Sequence, residues 1–190
     1  MNTTPKNRLV IIADDLTGAL DSSGFLARSG LMVTIYPGRT FELTDGVTVI
    51  NTGSRGDPAP VAVKKLREAA QRLKGETIFK KIDSTLRGNI APEIETLLET
   101  VSYEKVIIAP AFPAMGRTVV NGVLLVKGVP VAETDFGRDP VTPVKESLIP
   151  ALFISARKTH AAPAGRRSAT CLNTWILIMV YPSRFLIFFP

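Results

Sequence analysis

Leu9-Val10-Ile11-Ile12-Ala13-Asp14-Asp15-Leu16-Thr17-Gly18 decides the fold class. Five apolar residues, mostly β-branched, stop at two carboxylates. That is the pattern of a short strand buried on both faces of a parallel sheet. Asp14–Gly18 reads as a polar break. Ala19–Ser29 then sets Leu20, Phe25, Leu26 and Ala27 at helical spacing, and Gly30 closes the helix as a C-cap residue does. Further strands are expected at Met32–Tyr36, Val47–Ile50, Thr77–Asp83 and Lys105–Ala109. Helices are expected from Pro58 to about Leu73, from Asn89 or Ala91 to Glu99, and over Pro143–Leu152. Pro92 falls in a first helical turn, where a missing N–H costs little. Val119–Glu133 reads as a β-hairpin about Lys127-Gly128. Strands alternating with helices predict an α/β domain: a doubly wound, mainly parallel sheet flanked by helices, plus that hairpin.

Composition narrows the functional classes. The 190 residues are 45% hydrophobic and 21% charged, as in globular domains. One Cys and one His leave no disulfide framework and no His/Cys zinc site, and no metal site is assigned. The net charge of +6 is unevenly placed. Residues 1–150 carry 18 basic and 17 acidic side chains, whereas residues 151–190 carry five basic and no acidic ones. The body is near neutral, so no nucleic-acid partner is expected. Leu9–Ala13 is too short for a signal-peptide core, which reads as a cytoplasmic protein.

The character changes at Phe153. Trp175–Tyr181 and Phe185–Phe189 are apolar without amphipathic period, and Pro182 and Arg184 split them. Neither run reaches the about 18 apolar residues of a spanning helix. A membrane anchor is one reading. Non-native sequence, such as a frame-shifted end, agrees better with the loss of pattern, and no membrane partner is expected. Cys171 and His160 lie here and receive no chemistry.

Polar clusters follow the expected strands, where open parallel sheets bind ligands. Asp14, Asp15 and Thr17 follow the first strand, and Ser54 and Arg55 the third. Lys81, Asp83, Ser84, Thr85 and Arg87 end the fourth, and Gly116 and Arg117 follow the fifth. One carboxylate of Asp14-Asp15 suffices to cap a helix; two suit gripping hydroxyls, holding Mg²⁺ or taking a proton. Lys81 and Asp83 form either an internal ion pair or a cation and a carboxylate for a substrate. Ser84–Gly88 adds hydroxyls and Arg87 before a helix start, an arrangement suited to anions. Arg55 and Arg117 are surface charges if taken singly and a cationic rim if taken together. There is no P-loop and no Gly-x-Gly-x-x-Gly motif. With no His or Cys before residue 153, any general base is a carboxylate or a lysine.

Ile12–Ala19 with Asp21, Lys81–Asn89, Ala109–Pro113 with Gly116-Arg117-Thr118 and Gly122, and Asp139-Pro140 with Pro143-Val144 occur in that order. Together they resemble the four-carbon acid sugar kinases over roughly residues 8–152. The resemblance implies phosphoryl transfer from ATP, with Mg, to threonate, erythronate or 3-oxo-tetronate. It implies two domains, an N-terminal one for the sugar acid and a C-terminal one holding most of the ATP site. Residues 1–152 are then the substrate-binding domain, and residues 153–190 a tail standing where the nucleotide domain would begin. The implied catalytic residues are Asp14, Asp15 and Asp83, binding hydroxyls with one as base. The implied substrate-binding residues are Thr17, Ser54, Arg55, Lys81, Ser84, Thr85, Arg87, Gly116 and Arg117, with Lys81, Arg87 and Arg55 on the carboxylate. Ala91-Pro92 departs from the Gly usual near there. The expected partner is a small-molecule sugar acid; the rival reading is a sugar-acid-binding fragment without catalysis.

Overall fold

The computed structural model describes residues 9–38, 40–101, 105–153 and 175–179. Its main sheet has six strands: β1 Leu9–Ala13, β2 Val33–Tyr36, β3 Val47–Asn51, β4 Thr77–Lys81, β5 Lys105–Ala109 and β9 Trp175–Met179. They lie in the order β2-β3-β1-β4-β9-β5, and every neighbouring pair is parallel. The helices are α1 Leu16–Arg28, α2 Ala59–Ala70 and α3 Ile90–Thr100.

The apolar first strand explains the layering. Successive side chains point to opposite faces. Val10 and Ile12 join Leu66, Ala69, Ile94 and Leu97 of α2 and α3 in one core. Ile11 and Ala13 join Ala19 of α1 with Val47 and Val49 in the other. Helix α1 therefore covers one face and α2 with α3 the other. β1 sits between β3 and β4, with Ala13 level with both Asn51 and Lys81. The chain leaving β1 turns to one face, while those leaving β3 and β4 turn to the other. Open parallel sheets bind ligands where connections part in this way, at the carboxyl ends of the strands.

The structure corrects several expected boundaries. Asp14–Gly18 is no break: α1 starts at Leu16, because the Asp15 side chain accepts the Gly18 N–H at 2.8 Å as its N-cap. The hairpin is one turn of a three-stranded antiparallel sheet, β6 Arg117–Val120, β7 Val123–Val126 and β8 Val129–Pro130. Lys127-Gly128 does form a turn, with φ 51° and 84°, and Asn121-Gly122 forms another, with φ 50° and 80°. Two consecutive positive φ values suit the twist of tight hairpins. Of the helix expected over Pro143–Leu152, residues 143–148 are not helical, and among the described residues the helix covers 149–153. Before it the backbone is spent on β7: Leu124 N–H donates to the Ser147 carbonyl, and Ile149 N–H to that of Gly122.

β9 places Trp175–Met179, from the apolar C-terminal stretch, between β4 and β5. The other residues of that stretch beyond 153, on which the non-native reading rests, lie outside the described residues. Among the described residues, no helix is long and apolar enough to cross a membrane.

After β8 two 3₁₀ turns, Val131–Glu133 and Asp135–Arg138, bring Phe136 and Asp139 back towards the end of β4. Gly137 makes that path possible, since a Cβ there would meet the Ala132 carbonyl oxygen at 1.9 Å. The Gly137→Ala variant is therefore expected to melt at least several degrees below the parent. Equal melting temperatures by circular dichroism would show that the turn relaxes freely.

Candidate functional site

Two backbone hydrogen bonds fix the loop after β3 against β1. The N–H groups of Ser54 and Arg55 both donate to the Asp14 carbonyl, at 2.9 and 3.1 Å. Arg55 is thereby aimed along the strand ends. Its Nε and Nη2 donate to the two oxygens of the buried Asp14 at 3.0 and 2.9 Å, a bidentate pair. Its Nη1 donates to Asp15 Oδ2 and lies 4.0 Å from Asp83 Oδ1. One guanidinium thus faces three carboxylates from two strand ends. Burial alone would lower the Arg55 pKa, but the hydrogen bonds and charge of Asp14, with Asp83 and Asp15, hold it above its ordinary value. Gly88, at φ 93°, lets the backbone pass close by: a Cβ there would stand 3.0 Å from Asp14 Oδ2.

The second carboxylate centre is Asp83. Arg87 grips it in bidentate fashion through Nε and Nη2 at 3.0 and 3.1 Å. The Thr85 hydroxyl and the N–H groups of Thr85 and Arg87 also donate to it. Burial would raise the Asp83 pKa. The hydrogen bonds of Arg87 and Thr85 and the charges of Arg87 and Arg55 instead hold it well below the usual carboxylate range. The turn is tight enough to force Leu86 to φ 64°, a strained value for a side-chain-bearing residue. Arg87 Nη1 also lies 3.5 Å from Asp139 Oδ2, and its guanidinium stands 5.4 Å from the Phe136 ring centroid.

Two cations are left over. Lys81 does not pair with Asp83, which corrects the internal ion-pair alternative. Its buried Nζ donates to the Ile82 carbonyl at 3.1 Å and has no ion pair among the described residues. Burial lowers its pKa, and Asp83 and Asp14 only partly oppose that. Arg117 donates to the Ser84 hydroxyl and stands 5.7 Å from the Phe136 ring centroid. Its Nε is buried without a hydrogen-bond partner among the described residues.

The structure therefore gathers Asp14, Asp15, Arg55, Lys81, Asp83, Ser84, Thr85, Arg87 and Arg117 at one rim. Thr17 is exposed on the first turn of α1. Gly116 belongs instead to the start of the second sheet, where its carbonyl accepts the Lys127 N–H at 2.6 Å. Ser54 is fully buried beneath the rim and donates to Glu93. Sequence reasoning missed that Glu93, paired with Lys80, and missed Phe136. The signal for Glu93 was a lone acid within the apolar face Ile90, Ile94 and Leu97; Phe136 left none, because only the 3₁₀ turns bring it near Arg87.

Residues 9–171 match the family model of the sugar-binding N-terminal domain. The chain belongs to that family. A D-erythronate kinase of Heliobacterium modesticaldum is 38% identical over 164 residues, covering 82% of this chain and 37% of that protein. A D-threonate kinase of Salmonella typhimurium is 38% identical over 152 residues, covering 75% and 35%. A 3-oxo-tetronate kinase of Brucella melitensis is 36% identical over 176 residues, covering 87% and 40%. A domain of unknown function from Bordetella bronchiseptica, crystallised with citrate as a domain-swapped dimer, superposes with a TM-score of 0.72 at 32% identity. It covers 90% of this chain and 47% of that one. The chain thus spans 35–47% of the length of these relatives.

The Asp83 geometry sets an acid limb on stability. The folded pKa lies below the unfolded value of about 3.9, so under acid conditions the unfolded chain binds the extra proton. This stabilisation is present above about pH 5 and is lost as pH falls towards the folded pKa. Asp83→Asn is expected to lower stability near neutral pH by about 3 kcal/mol and to flatten that acid limb. Denaturant melts between pH 3 and pH 7 measure both, and a parallel offset at every pH would contradict the assignment.

Proposed function

We propose that this chain is the sugar-acid-binding half of an ATP-dependent kinase acting on threonate, erythronate or 3-oxo-tetronate. The supporting observation is the charge arrangement of the rim. Asp14, Asp15 and Asp83 are held by Arg55 and Arg87, which fixes their positions as acceptors for substrate hydroxyls. Lys81 and Arg117 keep charge that no ion pair among the described residues neutralises. A four-carbon acid offers one carboxylate and adjacent hydroxyls, the complement of that pattern. Arg55 and Arg87 are already engaged by aspartates, so the carboxylate falls to Lys81 and Arg117, with Ser84 and Thr85 lining its approach. Thr17 lies on the exposed first turn of α1, Gly116 directly precedes Arg117, and Ser54 lies buried beneath the rim.

Phosphoryl transfer asks the protein mainly for positioning and charge stabilisation. Asp83, its pKa held low, is a weak base and a strong acceptor, so we assign it to orienting a substrate hydroxyl. Asp15 spends one oxygen on the α1 cap and the other on Arg55. Asp14 spends both on Arg55. The described residues hold no group of three acids, histidines or cysteines suited to a metal. The rim oxygens are taken up by guanidinium, hydroxyl and backbone donors, so the rim carboxylates as they stand do not fit a Mg²⁺ site. ATP would be the second substrate, bound by the part of the relatives that this chain does not span. We place the protein in the cytoplasm, as a small-molecule enzyme that engages neither nucleic acid nor membrane. We take residues 1–152 as the domain that carries the site. The shares of 35–40% of each relative favour a second reading, in which the chain binds a sugar acid without turnover.

Calorimetric titration with D-threonate and D-erythronate tests the reading. Lys81→Met and Arg117→Ala are each expected to weaken binding at least about tenfold, the value of one charge-assisted hydrogen bond. Because burial lowers the Lys81 pKa, affinity should fall on the alkaline side at a pH below that of an ordinary lysine. Full affinity in both variants would sink the sugar-acid assignment. Phosphate release from ATP separates the kinase reading from the binding-only one.

A further inference from the structure

Beneath the rim lies a buried ionic chain that the site chemistry leaves unused. Lys80 of β4 and Glu93 of α3 are 0% and 1% exposed, and their Nζ and Oε2 are 2.8 Å apart. Lys80 Nζ also donates to the Lys81 carbonyl at 3.2 Å. The other Glu93 oxygen accepts the Ser54 hydroxyl. Ser54 Oγ sits 2.8 Å from Thr52 Oγ1, whose single proton can go to it, because the Thr52 N–H already donates to the Ala13 carbonyl at 2.9 Å. The chain therefore links the carboxyl ends of β1, β3 and β4 to one helix. Ser54 directly precedes Arg55, whose guanidinium joins Asp14, Asp15 and Asp83.

Stability alone does not account for this pair. Apolar side chains of like volume in the same core would be as stable or more so, because two charges need not be desolvated. The ionic chain offers what apolar packing does not, a directional bond to the loop that carries Arg55. We propose that Lys80 and Glu93 are a positioning pair that, through Ser54, sets where Arg55 stands among the three aspartates. Asn89, at the start of the same helix, is a second clamp: its side-chain amide donates to the carbonyls of Ser54 and Asp57 at 3.1 and 2.9 Å. Helix α3 thus holds the loop from below, while β1 holds it from the side. The ligand-binding consequence rests on the sugar-acid reading; the placement of Arg55 does not.

The test uses the full chain and two readouts. The first is hydrogen exchange at the Arg55 Nε–H in proton–nitrogen spectra, assigned by its loss in Arg55→Lys. The second is D-threonate and D-erythronate affinity. The variants are Ser54→Ala, which leaves the ion pair intact, and the double variant Lys80→Met with Glu93→Leu. Both are expected to speed Arg55 exchange at least tenfold and to weaken sugar-acid binding by a similar factor, while melting cooperatively within a few degrees of the parent. Unchanged Arg55 exchange in Ser54→Ala overturns the proposal even if the double variant fails to fold. Faster exchange with unchanged affinity overturns its role in binding. If the parent binds no tetronate, the sugar-acid reading fails while the exchange readout still decides this one.

Discussion

The rim depends on one shared cation. Arg55 carries a single positive charge and faces three carboxylates, Asp14 through both oxygens, Asp15 through one and Asp83 at 4.0 Å. Without it, Asp14 would be a buried acid with no counter-charge, and the ends of β1 and β4 would repel. A buried charge that loses its partner is costly, whereas one held by a bidentate guanidinium is stable. The fold serves that contact directly. Parallel pairing sets Ala13 level with Asn51 and Lys81, so the segments leaving these three strands emerge at one height.

The same electrostatics sorts the rim into used and unused charge. Arg55 and Arg87 are consumed in holding aspartates in fixed positions. Lys81 and Arg117 are not, and they differ in character. Lys81 is buried with only a backbone carbonyl as partner among the described residues, and that burial lowers its pKa. Arg117 keeps an orphan buried Nε beside Phe136, a ring that also approaches Arg87. A buried donor without an acceptor is costly in a native fold unless a ligand satisfies it. The strained Leu86 and the positive φ of Gly88 fall in the same short turn, where the backbone bends so that Asp83 can accept several donors at once.

Similarity to the D-erythronate, D-threonate and 3-oxo-tetronate kinases and the charge pattern agree without depending on each other. The first comes from sequence identity across most of this chain. The second comes from which side chains find counter-charges. The chain spans 35–40% of each of these relatives, and its described residues gather carboxylates and cations at one rim.

Local pattern was enough for the α/β class, the order of strands and helices up to β5, and the strand ends at which the polar residues cluster. Those features follow from periodicity along the chain, since an apolar five-residue run ending in Asp14-Asp15 has few other places to go. The same pattern placed Asp14, Asp83 and Lys81 near one another, because all end neighbouring strands. It did not determine partners. That Asp83 pairs with Arg87 and not Lys81 depends on a turn through Leu86 and Gly88. That Asp15 caps α1 while touching Arg55 depends on the loop after β3 being held by the Asp14 carbonyl. Ser54 looked like a rim hydroxyl and is a buried link to Glu93, and Phe136 arrives over the rim only through the turns after β8. Periodicity is carried by neighbours in the chain; which charge meets which is set by contacts between residues tens of positions apart, and only the packed structure brings those together.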